Sequence, residues 1–172
     1  MRLFIAINFN DETRLHLLAL RDELRSRSVR GNFSLPENLH LTLVFLGECD
    51  GKQIALAKAI MNAIRFETFD ISINHVGCFK RGSGDIWWAG LRENKPLLAL
   101  QGELTDKLIA EGFTLDRRKY SPHVTLGREV VTDAKPWKIT PFGETARAIE
   151  LMKSERISSK LTHTAIYGKK LF

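Results

Sequence analysis

Asn38-Leu39-His40-Leu41-Thr42-Leu43-Val44-Phe45-Leu46-Gly47 and Ser121-Pro122-His123-Val124-Thr125-Leu126-Gly127-Arg128 are two versions of one phrase. Each has at its centre a histidine and, two places later, a threonine, set among apolar residues. Alternate residues of a β-strand share a face, so each phrase sets an imidazole and a hydroxyl side by side on one face of a strand. The phrases stand nearly half a chain apart in a sequence of 172 residues. A core has little use for the same polar pair twice, because a buried polar group costs free energy unless it is partnered. A cleft floor has such a use. The repetition predicts two related lobes, each lending one strand to a shared cleft.

The flanking sequence supplies the rest of the scaffold. Leu3 to Phe9 is an apolar, β-branched run and reads as a buried strand. Asn10 or Asp11 caps a helix carrying Leu15, Leu18, Ala19 and Leu24, which ends in the basic run Arg25 to Arg30 before Gly31. Leu35 precedes Pro36 and is pushed away from helix, so Ser34 to Asn38 is an extended lead-in. Lys52 to Arg65 is amphipathic and helical. Phe69 to Phe79 and Ile86 to Leu91 are strands joined by the turn Arg81-Gly82-Ser83-Gly84-Asp85. Pro96 to Glu111 is a third helix, with proline in the first turn and Gly112 at the end. After the second phrase, Pro136 and Pro141 mark a loop, and Ala146 to Arg156 and Lys160 to Gly168 form a terminal pair of strands. The order β-α-β-α-β-β-α-β-β-β indicates an α+β fold.

With 44% hydrophobic and 27% charged residues, the chain can bury a real core without disulfides or metal. Its net charge of +6 suits a polyanionic partner such as nucleic acid, and equally suits a solvated basic surface. The arginines of 25–30 also have a simple role against the negative end of a helix. Cys49 and Cys78 form no CxxC and no metal-type spacing, so both read as small hydrophobes. The first apolar run is too short for a signal peptide or a membrane span, and a cytoplasmic protein is expected.

Two histidines facing each other across a cleft suit general acid–base chemistry. An ordinary imidazole pKa of ~6.5 lets one ring be neutral and the other protonated near neutral pH. The neighbouring hydroxyls can donate to the non-bridging oxygens of a tetrahedral anion. Such a set fits phosphoryl chemistry with neither metal nor cofactor. Acyl transfer finds no Gly-x-Ser-x-Gly, and metal binding finds no His-x₃-His and no carboxylate beside either phrase.

The paired His-h-Thr-h phrases, where h is apolar, resemble the motifs of the two-histidine phosphoesterase superfamily. Within it the chain is most similar to the RNA 2′,3′-cyclic phosphodiesterases, also called 2′-5′ RNA ligases. The likeness takes in Arg2-Leu3-Phe4-Ile5-Ala6-Ile7, both phrases with their flanks, and Trp88-Ala89-Gly90. It implies a bilobal, duplicated fold of residues 1–172 as one domain, with two antiparallel sheets around a central cleft and helices outside. It implies metal-independent hydrolysis of terminal 2′,3′-cyclic phosphates on RNA or nucleotides to 2′-phosphates. It makes His40 and His123 the catalytic pair, His40 as acid and His123 as base, although the residues alone leave the roles interchangeable. Thr42 and Thr125 become phosphate ligands. Arg128 becomes a third, provided that a break at Gly127 turns it from the far face of the strand into the cleft. A monomer with no membrane partner is expected. A 2′-5′ phosphodiesterase or reversible ligase at the same site, and a non-catalytic module for RNA ends, remain open on the residues alone. Trp87 and Trp88 point to opposite faces, so one suits the core and one a nucleobase. His163 reads as structural or superficial, and His16 and His75 have no supporting context.

Overall fold

Leu3 to Ile7 are buried without interruption, as a strand flanked on both sides and covered on both faces has to be. This is β1 (Arg2–Asn8) of a computed structural model that describes residues 1–172. There follow α1 (Asp11–Ser26), β2 (Ser28–Phe33), a 3-10 turn (Pro36–Asn38), β3 (His40–Glu48) and α2 (Gly51–Ala63). The second half comprises β4 (Phe69–Phe79), β5 (Asp85–Leu91), α3 (Lys95–Ala110), β6 (His123–Thr132), β7 (Trp137–Ala146), β8 (Ala148–Ile157) and β9 (Lys160–Lys170).

The strands form two sheets, ordered β3-β1-β8-β9 and β2-β6-β5-β4-β7, and every pairing is antiparallel. The two phrases therefore fall on different sheets, as the repetition predicts. Helix α1 packs on β2, β6 and β7, while α2 and α3 pack on each other and against β9 and β3. Each helix starts at a side-chain cap. Asn10 Oδ1 accepts from the Thr13 N–H at 2.8 Å, Asp50 and Gln53 form a capping box, and Asn94 accepts from Leu97. Apolar side chains from both sheets and all three helices join in one core of 35 buried residues. A separate small group, Phe4, Ala6 and Met152, lies on the face of the four-stranded sheet that carries His40. No helix is long and apolar enough to cross a membrane.

Two strands were invisible in the sequence, and both are sheet edges. The run after Arg25 does not continue the helix: α1 stops at Ser26, and the chain turns directly into β2. Its cations lie over aromatic rings, Arg25 over Phe33 at 5.1 Å and Arg27 over Trp137 at 4.6 Å. Likewise, the loop that Pro136 marks is short, residues 133–136, and does not extend to Pro141. Pro141 lies within β7, where an edge strand tolerates the missing N–H, beside a break in register against β4. The second phrase also continues past its glycine, because β6 runs to Thr132 through a bulge at Arg128 and Glu129. Glu129 adopts a left-handed φ of 52°, and its carboxylate accepts from Asn32 Nδ2 at 2.6 Å. Gly84, in the β4–β5 turn, sits so close that a Cβ there would stand 2.7 Å from the Glu129 carbonyl carbon.

Candidate active site

Strand β3 presents His40 and Thr42 on one face, beside Asn8 and Ala6 of β1. Strand β6 presents His123 and Thr125 beside Gly90 and Trp88 of β5. The lead-in to each phrase supports the other phrase. Tyr120, just before the second phrase, donates its hydroxyl to the Thr42 carbonyl at 2.7 Å. Ser34, just before the first, donates its hydroxyl to the Thr125 carbonyl at 2.8 Å and its N–H to the Leu126 carbonyl at 2.9 Å. These reciprocal struts tie the two strands into one cleft. Burial keeps the Tyr120 phenol well above its ordinary pKa, so it is a neutral donor throughout the working range. Tyr120→Phe removes one such hydrogen bond, worth about 1 kcal/mol. A fall in Tm of about 2–4 °C is expected, read by thermal unfolding.

The two histidines are held differently. His123 Nδ1 lies 2.7 Å from the Ser121 carbonyl. A carbonyl only accepts, so Nδ1 carries the hydrogen and the neutral ring keeps its lone pair on Nε2. That is the state a general base needs. His40 Nε2 lies 3.0 Å from Thr42 Oγ1, while its Nδ1 is sealed from solvent and has no partner in hydrogen-bonding geometry. The Asn38 carbonyl, two residues back like Ser121, is near enough to favour a proton on His40 but does not complete that bond.

Burial lowers the His40 pKa to about 4, with further lowering from the charges of His163, Arg128 and His123. His123 is lowered too, first by burial and then by Arg128, against the Ser121 carbonyl, which raises it. Both rings are therefore neutral in the empty cleft at neutral pH, and an anion between them favours the protonated form of each. Arg128 acts on both. The strand breaks at Gly127, where the sequence placed it. Trp88 pairs with Thr125 but Trp87 with Gly127, so β6 gains a residue against β5 at 126–127, and a second bulge follows where Glu129 turns left-handed.

The sequence reading missed an aromatic wall beside His123. Phe79 lies 5.1 Å from the His123 ring and 5.2 Å from Trp88, and Trp88 lies 6.1 Å from His123. His75, which the sequence left without context, packs against Trp88 at 5.6 Å and takes its tautomer from Asn74 Oδ1 at 2.6 Å. Bare glycines make room: a side chain at Gly77 would collide with the Trp88 indole, and one at Gly90 with the His75 ring. The alternation of Phe79 and His75 along β4 carried this signal, but only pairing to β5 reveals it. Trp87 faces the other way and is wholly buried. His16 is remote from the cleft and stacks on Phe142. No group of three or more His, Cys, Asp or Glu side chains converges as metal ligands.

This two-lobed fold, with one His-x-Thr strand from each sheet, is that of the two-histidine phosphoesterases. The chain belongs to the 2′-5′ RNA ligase superfamily, whose family model matches residues 11–166. The RNA 2′,3′-cyclic phosphodiesterase of Thermotoga maritima is 35% identical over 131 residues, covering 74% of this chain and 70% of its own. The enzyme of the same name from Archaeoglobus fulgidus is 34% identical over 152 residues, covering 84% of this chain and 85% of its own. Among solved structures, Escherichia coli LigT complexed with 3′-AMP superposes with a TM-score of 0.87 at 23% identity, over 99% of this chain and 97% of that one. That likeness is one of fold.

Proposed function

We propose that residues 1–172 act as one two-lobed domain that hydrolyses the 2′,3′-cyclic phosphate at an RNA or nucleotide end to a 2′-phosphate. The observation that carries this reading is the convergence of two His-x-Thr strands, one from each sheet, tied by the Tyr120 and Ser34 struts under a shared cation, Arg128. Two relatives more than 30% identical bear the name of that activity, which supports it independently.

The cyclic phosphodiester would enter between the two strands with its non-bridging oxygens on the hydroxyls of Thr42 and Thr125. Arg128 would offset its charge. His123, with Nε2 unprotonated, removes a proton from water as the oxygen attacks phosphorus. The P–O3′ bond breaks, and His40 gives its proton to O3′. The product carries a 3′-hydroxyl and a 2′-phosphate, and the rings exchange protons with solvent before the next turn. Since His40 is neutral in the empty cleft, its proton is taken up together with the anionic substrate. The half-exposed face of Trp88, with Phe79 beside it, offers the terminal base a surface to stack on. Incubation with 2′,3′-cyclic AMP in the presence of EDTA tests the reading. The 2′-nucleotide is the expected product by chromatography. A 3′-nucleotide, or no turnover, overturns it.

A further inference from the structure

Of the two motif histidines, only His123 has its ring fixed by a backbone acceptor. His40 is buried more deeply around Nδ1 and has no such bond. What touches its ring instead is Phe4, at 4.8 Å between centroids, and His163, edge-on at 5.0 Å. Phe4 and His163 also touch each other, at 4.9 Å. Three rings thus close on one another. His163 belongs to β9, at the far edge of the sheet from β3. It reaches His40 because the long β8–β9 hairpin returns to the start of β3, where Asn38 Nδ2 donates to the Leu161 carbonyl at 3.0 Å. His163 Nδ1 is itself buried and unpartnered. No other feature of the hairpin calls for an imidazole at that point.

We propose that His163, which lies outside both motifs, is the positioning residue of His40: with Phe4 it clamps the His40 ring, and its own charge governs when His40 accepts a proton. The inference rests on His40 having the role proposed above. The groups around His40 make the coupling one-sided. From β1 come Phe4 and Asn8, both uncharged. The 3-10 turn contributes the Asn38 carbonyl, its Glu37 being exposed. From β6 come His123 and Arg128, and from β9 comes His163. The charges that act on His40 all oppose its protonation, and His163 is the foremost of them. His163 is lowered by burial alone and is the less enclosed ring, so as pH falls it takes its proton first and then repels one from His40. The negative charge that relieves this repulsion is the substrate phosphate. A proton on His40 is in this way made conditional on an anion in the cleft.

The test separates clamp from charge with three variants of the full chain. In the free protein, the Cε1–H signal of His40 is followed by NMR against pH, a measurement that needs no substrate and stands whatever the reaction proves to be. His163→Gln keeps a polar side chain without charge, and His40 is expected to titrate at higher pH than in the parent. His163→Ala removes the clamp, and kcat on 2′,3′-cyclic AMP is expected to fall about 10-fold to 10²-fold. His163→Phe restores a ring against Phe4 and His40 and is expected to recover most of that loss. Should His163→Ala fail to fold by circular dichroism, the Gln and Phe variants still decide the matter. His40 titrating at the parental pH in His163→Gln overturns the charge coupling, and a His163→Phe enzyme as slow as His163→Ala, or slower than the parent by 10-fold where Ala does not fold, overturns the clamp.

Discussion

Replacing His123 by alanine is expected to lower kcat by about 10²–10⁴-fold, the usual contribution of one general acid or base. His40→Ala is expected to lose as much. Neither loss comes from unfolding. Both residues are partly exposed, and neither belongs to the main buried core. The strand beneath each is held by other groups: Tyr120 supports Thr42, and Ser34 supports Thr125. The double variant is the sharper measurement. Acid and base act on one substrate in one step, so removing the second costs little once the first is gone. The double variant is expected within about 10-fold of the slower single one, where independent sites would multiply their losses. Turnover of 2′,3′-cyclic AMP, checked against circular dichroism melts, reads all three proteins. A single variant retaining turnover within about 10-fold of the parent removes that histidine from the proposed mechanism.

That the two histidines come from two sheets was legible before any coordinates, and the reason is physical. A polar pair inside an apolar strand has few places to go, and a repeated pair has fewer. The central strands β1, β4 and β6 were legible for the same reason: strands enclosed by neighbours carry the apolar pattern that identifies them. The edge strands β2 and β7 lack that pattern. Arg30 and Pro141 would end a central strand, yet at an edge a charge or a missing N–H meets solvent. For Arg128, parity demanded a break at Gly127, and the extra residue of β6 between Thr125 and Gly127 supplies it. The second bulge was not legible, since a glutamate at positive φ, as at Glu129, is uncommon in any sequence. His163 was out of reach altogether. Its contact with His40 depends on the path of the β8–β9 hairpin over the first phrase, a property of two strands together and of no single stretch.

Trp87 and Trp88 turn strand parity into the second large expected effect. They are adjacent and chemically identical, and β5 points them to opposite faces. Trp87 is wholly buried, lies 6.0 Å from Trp137, and pairs in register with Gly127 and Cys78. Trp87→Ala opens a large hole in the main core, and truncations of buried aromatics cost about 3–5 kcal/mol. For a domain of this size that is a fall in Tm on the order of 10 °C. Trp88 is only half-buried, and its indole covers Gly77 on the face that carries His123. Trp88→Ala vacates surface without excavating the core, so its stability cost is smaller. Its loss is expected in substrate binding, where stacking on an aromatic is worth about 1–3 kcal/mol per base. That corresponds to a KM for 2′,3′-cyclic AMP raised roughly 5-fold to 150-fold, with kcat less affected. Thermal melts and steady-state kinetics on the two variants decide the point together. If Trp88→Ala melts as low as Trp87→Ala, both indoles serve packing, and the base has no shelf on β5. If Trp88→Ala keeps both its Tm and the parental KM, the cleft grips the phosphate end and leaves the base free.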